Sequence, residues 1–465
     1  LRIFNKVHSQ RRKMLSSIVN NIHDFYEKSQ EKSVSNLICD DTPQSKIIDT
    51  HYLSFSEWGH SIDLLGSDLL IGAPYARINS GDFSLINVNS YNTHFDLSTE
   101  FKYDSRLGTS VKFVDINCDK KYEVVASLPG YGDDEGGRLQ IYSVTSSNFN
   151  FSPKLVITID NIGNDWGIGS VTDVGDIDND GCGELIVGVP HFSDGDALNV
   201  GGIMVVYSSP SWSSETSDSK YVVCKAGVCN STLVKFVQIG TDFWQMAGSS
   251  IKIIHFKGDP YVLIGSIGFV DHTNINQSAV GRVVCYDPRN ESVRWTVTGD
   301  VPNSGFGSSI EADSNYLYVG SPVRSNTVSK ILSKGEIGSV YVYNLTELFD
   351  TSNQTIHASP ITTVTNGDLN GRFGHKIVST RKTLYVSAPL EDDLSGKVYA
   401  FEKSFDETAP TFELINCYTP PKVDKYHSSQ CGFGYDLVVK DDDDSIYISA
   451  PHLNNRAGGV YVYET

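Results

Sequence analysis

The chain lacks a membrane span: in 465 residues no apolar run approaches the roughly 20 needed to cross a bilayer. It is also short of positive charge. Lys and Arg number 37 against 56 Asp and Glu, a formal net charge of −19. That balance excludes a nucleic-acid footprint or an anionic membrane surface as the main partner and suits a protein carrying bound cations. No targeting segment is visible, as expected of a mature chain that has shed one. Hydrolase signatures are missing too: there is no H-E-x-x-H, no G-x-S-x-G and no P-loop. The 12 His are scattered singly, so no catalytic residue is assigned.

What the chain has is a sevenfold repeat. Each copy opens with a bulky residue and Gly, at Trp58-Gly59, Leu107-Gly108, Ile168-Gly169, Ala247-Gly248, Phe306-Gly307, Phe373-Gly374 and Phe433-Gly434. A segment like Leu-Ile-Gly-Ala-Pro follows, then Gly and a strand ending near Tyr. A further strand often comes after, as in Lys154–Ile159 and Val234–Ile239. Four short strands per copy predict an all-β fold, a seven-bladed β-propeller over residues 47–465. The small residues of the second strand fit a place where backbones crowd near an axis. The last copy ends at Thr465 after its third strand, while a spare candidate strand spans 46–55. The expectation is a ring closed by that N-terminal strand, which removes exposed edges.

Residues 1–46 differ. Leu15, Ile18, Val19, Ile22, Phe25 and Tyr26 recur at helical spacing behind a basic start, and 27–45 is polar. We read a short N-terminal helical segment and linker, docked on the protein or left from a preceding domain. A membrane-surface helix would carry its basic residues opposite the apolar face.

The third repeat holds the sharpest chemical signal: Asp176, Asp178, Asp180 and Glu184 at positions 1, 3, 5 and 9 of one loop, with Gly181 at 6 and a carbonyl available from Cys182 at 7. Oxygen ligands converging in that pattern suit a hard cation, Ca²⁺ before Mg²⁺. Strands flank the loop, so it is a hairpin tip and not an EF-hand. The second repeat has a weaker version in Asp115, Asn117, Asp119, Lys121 and Glu123, with Lys120 where Gly stood. The run Asp441–Asp444 reads as an acidic hairpin tip.

Cys224 with Cys229, and Cys417 with Cys431, bracket loops and are candidate disulfides, whereas Cys285 reads as a buried thiol. Sequons begin at Asn150, Asn230, Asn276, Asn290, Asn344 and Asn353. With the cysteine pairs they favour a secreted or secretory-lumen setting. Loops at 192–200, 268–280 and 323–335 are the expected functional surface.

Phe306-Gly307, Phe373-Gly374 and Phe433-Gly434, with Gly320-Ser-Pro322, Ser387-Ala-Pro389 and Ser449-Ala-Pro451, resemble the FG-GAP repeats of two propeller families. These are the glycosylphosphatidylinositol-specific phospholipase D type and the integrin alpha-subunit type. The resemblance covers about nine-tenths of the chain and implies calcium in the Asp176–Glu184 hairpin. The phospholipase type implies a preceding zinc-dependent catalytic domain, for which 1–46 is too short, as the partner of this propeller. It also implies lipid-anchored proteins or glycans as further partners. The integrin type implies a partner beta subunit, further β-domains and a membrane segment. The helix-like lead-in and the stop after the seventh copy favour the phospholipase type. A free-standing propeller that binds protein or glycan remains the alternative.

Overall fold

The computed structural model describes residues 39–47, 55–89, 103–132, 135–147, 150–162, 167–212, 220–225, 228–272, 279–323, 337–350, 355–356, 358–368, 370–405, 410–421, 430–440 and 445–465. The helix expected within 1–38 and the acidic tip 441–444 lie outside these. Residues Asp40–Thr465 form one compact unit, an all-β propeller in which the described helices have six residues or fewer.

The strands fall into seven sheets, numbered here in repeat order. Six carry four or more strands, and the first carries three, Ile62–Leu65, Asp68–Ala73 and Asp82–Asn87. Six full blades therefore stand, among the described residues, where seven equal ones were expected. The innermost strand of each sheet touches that of the next, and the seventh, Leu437–Val439, touches the first. Ser45–Ile47 pairs antiparallel with the last strand, Val460–Glu464, in the register Ser45↔Val462. The expected closing strand 46–55 thus begins one residue earlier; 48–54 lie outside the described residues.

The repeat grammar has a steric cause. A Cβ placed on Gly72 would lie 2.0 Å from the carbonyl oxygen of Gly108, and one on Gly188 would lie 2.2 Å from that of Gly248. The second strand of one sheet therefore packs directly on the opening glycine of the next. Where Ser stands in its place the opening glycine of the next sheet still packs on it: an added Cβ on Gly169 would lie 2.4 Å from the Ser127 Cβ, and one on Gly434 3.1 Å from the Ser387 Cβ. The opening aromatics fill the gaps between sheets. Phe306, Phe373 and Phe433 are fully buried and meet Tyr341, Tyr399 and Tyr461 at centroid distances of 5.3, 5.7 and 5.7 Å. Such pairs add about 0.5–1.5 kcal/mol each beyond simple burial, which accounts for the Tyr near the end of the fifth, sixth and seventh copies.

The axis is charged. The fourth residue after the opening glycine is Asp63, Lys112, Asp173, Lys252 and Glu311 in the first five sheets, so the sign alternates around the ring. Lys112 pairs with Asp63 at 3.0 Å and Lys252 with Glu311 at 2.9 Å. Asp173 accepts the Ile253 N–H across to the next inner strand at 2.7 Å. Burial works against the charge on Lys112, yet Asp63 and Asp173 outweigh it and raise its pKa. In the sixth and seventh sheets the position is Val378 and Val438, and a separate pair, Lys376 with Asp436 at 2.8 Å, sits two residues earlier. All of these side chains except that of Asp436 line an axial cavity of about 370 Å³.

Two outer additions were not expected. Lys220–Lys225, in the excursion after the third strand of the third sheet, runs parallel to Asn150–Ile162 of the second and covers its edge. Its hairpin with Val228–Cys229 is joined by the Cys224–Cys229 disulfide. The Cys417–Cys431 pairing is corrected: Cys431 is a free, fully buried thiol that donates to the Ser395 carbonyl at 3.0 Å. Cys417 is disulfide-bonded to a different partner. Cys431 lies in the turn just before Phe433, packed inward, and not on the excursion that the spacing seemed to close. Cys285 is free and buried.

Candidate metal centre

Inner strands all run the same way, so the hairpins to their second strands emerge on one face. The third of these tips is the Asp176–Glu184 loop. Its backbone is shaped by its own side chains. Asp176 Oδ2 accepts the Gly181 N–H at 2.9 Å, Asp178 Oδ1 that of Asp180 at 3.1 Å, and Asp180 Oδ1 that of Cys182 at 2.8 Å. Glu184 is fully buried at the base, where it accepts the Ile177 N–H at 2.8 Å and the Ser208 hydroxyl at 2.5 Å.

The loop brings Asp176, Asp178 and Glu184 together, with one oxygen of each within 4.8 Å of the others. Asp180 stays outside that triad, turned toward Cys182. Burial lifts the Asp178 carboxyl, and the charges of Asp180 and Asp176 add to it; burial likewise lifts Glu184. Asp176 Oδ1 is buried and has no hydrogen-bond partner. Three crowded carboxylates around an orphaned oxygen fit a hard divalent cation, because a cation supplies the missing partner and removes the repulsion. The next sheet braces the loop, with His255 Nε2 donating to the Asp176 carbonyl at 2.8 Å.

The second tip, Asp115–Glu123, repeats the fold of the loop but fills its centre differently. Asp115 Oδ1 accepts the Asp119 N–H at 3.0 Å and Asp119 Oδ1 that of Lys121 at 2.8 Å. The Asn117 amide points its N–H at Glu123 Oε1, 3.1 Å away, so a donor stands where a cation would need an acceptor. Burial first, then Asp119, pushes Glu123 up to about 7. Among the described residues no triad of acidic oxygens forms here. These residues fit a metal less well.

The sequence reading missed a bond. Cys118, at position 4 of the second tip, forms a disulfide with Cys182, at position 7 of the third. The grouping of both sulfurs near Asp180 is therefore covalent and not a thiolate metal site, while the Cys182 carbonyl keeps its expected place in the loop. Laying the two repeats over each other would have shown both cysteines on neighbouring hairpin tips.

Of the sequons, Asn230 and Asn290 are exposed. Asn230 accepts the Val223 N–H at 3.0 Å, and Asn290 donates to Asp287 at 2.8 Å. Asn344 is half-buried at the end of its strand and Asn150 begins one. Asn276 and Asn353 lie outside the described residues, as do parts of the loops 268–280 and 323–335.

No family profile matches the chain. It is 24% identical over 447 residues to phosphatidylinositol-glycan-specific phospholipase D of Mus musculus, covering 83% of this chain and 48% of that protein. The Rattus norvegicus protein of that name matches at 24% over 438 residues, covering 82% and 48%. The chain spans about half the length of these curated relatives. Among solved structures, extracellular domains 1–2 of Drosophila Semaphorin 1b overlay with a TM-score of 0.48 at 11% identity, covering 92% of this chain and 87% of that one. That likeness is too slight to argue from. The chain is a β-propeller with distant sequence similarity to the phosphatidylinositol-glycan-specific phospholipases D.

Proposed function

We propose that this chain is the calcium-stabilised propeller portion of a secreted, glycosylphosphatidylinositol-specific phospholipase D-like protein. It supports or positions a catalytic domain carried elsewhere in that protein, and zinc, if used, belongs there. The observation that carries the calcium reading is Asp176 Oδ1, a buried carboxylate oxygen left without a partner inside an acidic triad. The similarity to the phospholipases supports the rest. The two disulfides named above, and the lack among the described residues of a helix long and apolar enough to cross a membrane, are compatible with an extracellular setting.

The test is intact mass and N-terminal sequencing of the native protein, with an assay for release of a lipid-anchored reporter from membranes. A larger native protein, or a co-purifying fragment with a His/Asp zinc cluster, together with release activity, is expected. A native protein complete at 51.1 kDa, without a second chain and without release activity, overturns the enzyme reading. It leaves a non-catalytic extracellular propeller that binds protein or glycan. That second reading draws on the exposed Phe243 and Trp244, which offer flat faces to a ligand.

A further inference from the structure

Three sheets share one turn after their Ala-Pro. It runs Ala76–Asn79 in the first, Glu391–Leu394 in the sixth and Leu453–Arg456 in the seventh, each with left-handed residues at its centre. The first residue of each turn points inward and is 2% exposed. Two of these residues are hydrocarbon, Ala76 and Leu453. The third is Glu391. Its Oε1 accepts the Lys397 ammonium at 3.0 Å and the Tyr399 hydroxyl at 2.5 Å. Its Oε2 is buried and accepts nothing. Leaving such an oxygen unsatisfied is costly, and the sister sheets fill the same position with an apolar group.

The orphaned oxygen faces a specific piece of chain. A Cβ added to Gly367 would lie 2.7 Å from Oε2, and one added to Gly371 would lie 3.3 Å from it. The oxygen is lodged between two glycines that only their missing side chains allow so close. Between and beside them run Asn366, Asp368 and Asn370, oxygen-bearing side chains on alternate residues before a glycine, the spacing by which a short loop surrounds a hard cation. Burial raises the Glu391 carboxyl and nearby Asp368 adds to that rise. Lys397 also pairs with Asp392 at 3.1 Å. Three carboxylates (Glu391, Asp368, Asp392) against one ammonium (Lys397) leave 3 − 1 = 2 negative charges in excess among these side chains.

We propose that Glu391 Oε2, together with the oxygen-bearing side chains of Asn366, Asp368 and Asn370, forms a divalent-cation site for calcium. These three residues lie on the connection from the outer strand of the fifth sheet, Thr362–Val364, to the inner strand of the sixth, Ile377–Ser379. The site therefore lies on the face opposite the two hairpin tips and does not depend on them. An irregular set of carboxylate, amide and backbone oxygens suits Ca²⁺ better than the octahedral Mg²⁺.

The test counts calcium bound per chain after equilibrium dialysis of the full protein, by elemental analysis, for wild type, Glu391→Gln, Asp368→Asn and Asp178→Ala. Glu391→Gln and Asp368→Asn are each expected to lose about one ion per chain, and that loss should add to the one caused by Asp178→Ala. Asp368 is exposed, so its variant reports even if the buried substitution fails to fold. Terbium emission sensitised through Tyr399 should fall in Tyr399→Phe while the calcium count holds. Unchanged calcium counts in both Glu391→Gln and Asp368→Asn overturn the site, as does a higher melting temperature of Glu391→Gln with no ion lost. The latter would mean that a proton, not a metal, covers Oε2. If Asp178→Ala loses no ion while these two do, the hairpin reading fails and this one stands.

Discussion

The second and third hairpin tips follow one path and solve one electrostatic problem in two ways. Position 4 is left-handed in both, Cys118 at φ 60° and Asn179 at φ 62°, and so is position 6, Lys120 at φ 65° and Gly181 at φ 90°. In both the glutamate at position 9 accepts the N–H of a buried isoleucine, Ile116 or Ile177. Yet the second tip quiets its carboxylates with the Asn117 amide, two lysines and a raised Glu123. The third keeps three carboxylates together with one oxygen orphaned. Backbone geometry was retained while charge diverged, so the shape of such a loop is poor evidence for an ion, and the state of its oxygens is better evidence.

The largest expected effect comes from cutting the tie between the tips. Replacing Cys118 and Cys182 by Ser removes a cross-link spanning 64 residues, which the chain-entropy model values at about 4 kcal/mol. The denaturation midpoint should drop accordingly, and an unchanged midpoint would show that the two tips are held by packing alone. Next is Asp178→Ala. With calcium at a hundredfold excess over Kd, a bound ion contributes about 2.7 kcal/mol. The wild type should melt higher with calcium than without, and the rise should be smaller in the variant by the contribution of one ion. Equal melting temperatures for wild type in both buffers would erase the contrast between the tips.

A smaller change sharpens the comparison from the other side. Lys120→Gly relieves a left-handed lysine and should stabilise the second tip by roughly 1 kcal/mol, read as a raised urea midpoint. A fall would assign Lys120 an electrostatic duty that outweighs its strain. A pH-dependent effect is shared by every variant. Burial pushes His60 and His375, beside the axis, down to about 4 from 6.5. Between those values the unfolded chain takes up protons that the folded chain refuses, so stability is full above pH 6.5 and falls as the pH drops toward about 4. His375→Gln should flatten that slope in a melting series, and tip variants should leave it intact; a slope that vanishes in Asp178→Ala would tie the tips to the axis.

Much of the scaffold was legible because each rule is local and recurs. The opening glycine, the small second-strand residue and the Phe–Tyr pairing of Phe306 with Tyr341 can be seen within one copy and confirmed in the next. The acidic triad of the third tip was legible for the same reason, Asp176, Asp178 and Glu184 lying within nine residues. Pairings between copies were not. Cys118 and Cys182 meet because neighbouring tips meet, whereas short separation suggested Cys417 with Cys431. Glu391 sits in an acidic Glu-Asp-Asp run that reads as solvated surface, and only the inward turn reveals it as buried. The signs of Asp63, Lys112 and Asp173 mean little in sequence and acquire meaning only when inner strands are set side by side.

Those axial signs carry a consequence of parity. A cycle with an odd number of places cannot be coloured with two colours so that no neighbours match, and seven inner strands surround this axis. Five of them alternate without conflict, and the remaining two escape the rule with Val378 and Val438 and place Lys376 and Asp436 on another level. The ring consequently has a seam, at the sixth and seventh sheets, beside the one closed by Ser45–Ile47. A seam makes the seven places inequivalent. Exchanging the first two sheets would set Asp63 beside Asp173, like charge against like, so the order of the repeats is written along the axis as well as along the chain.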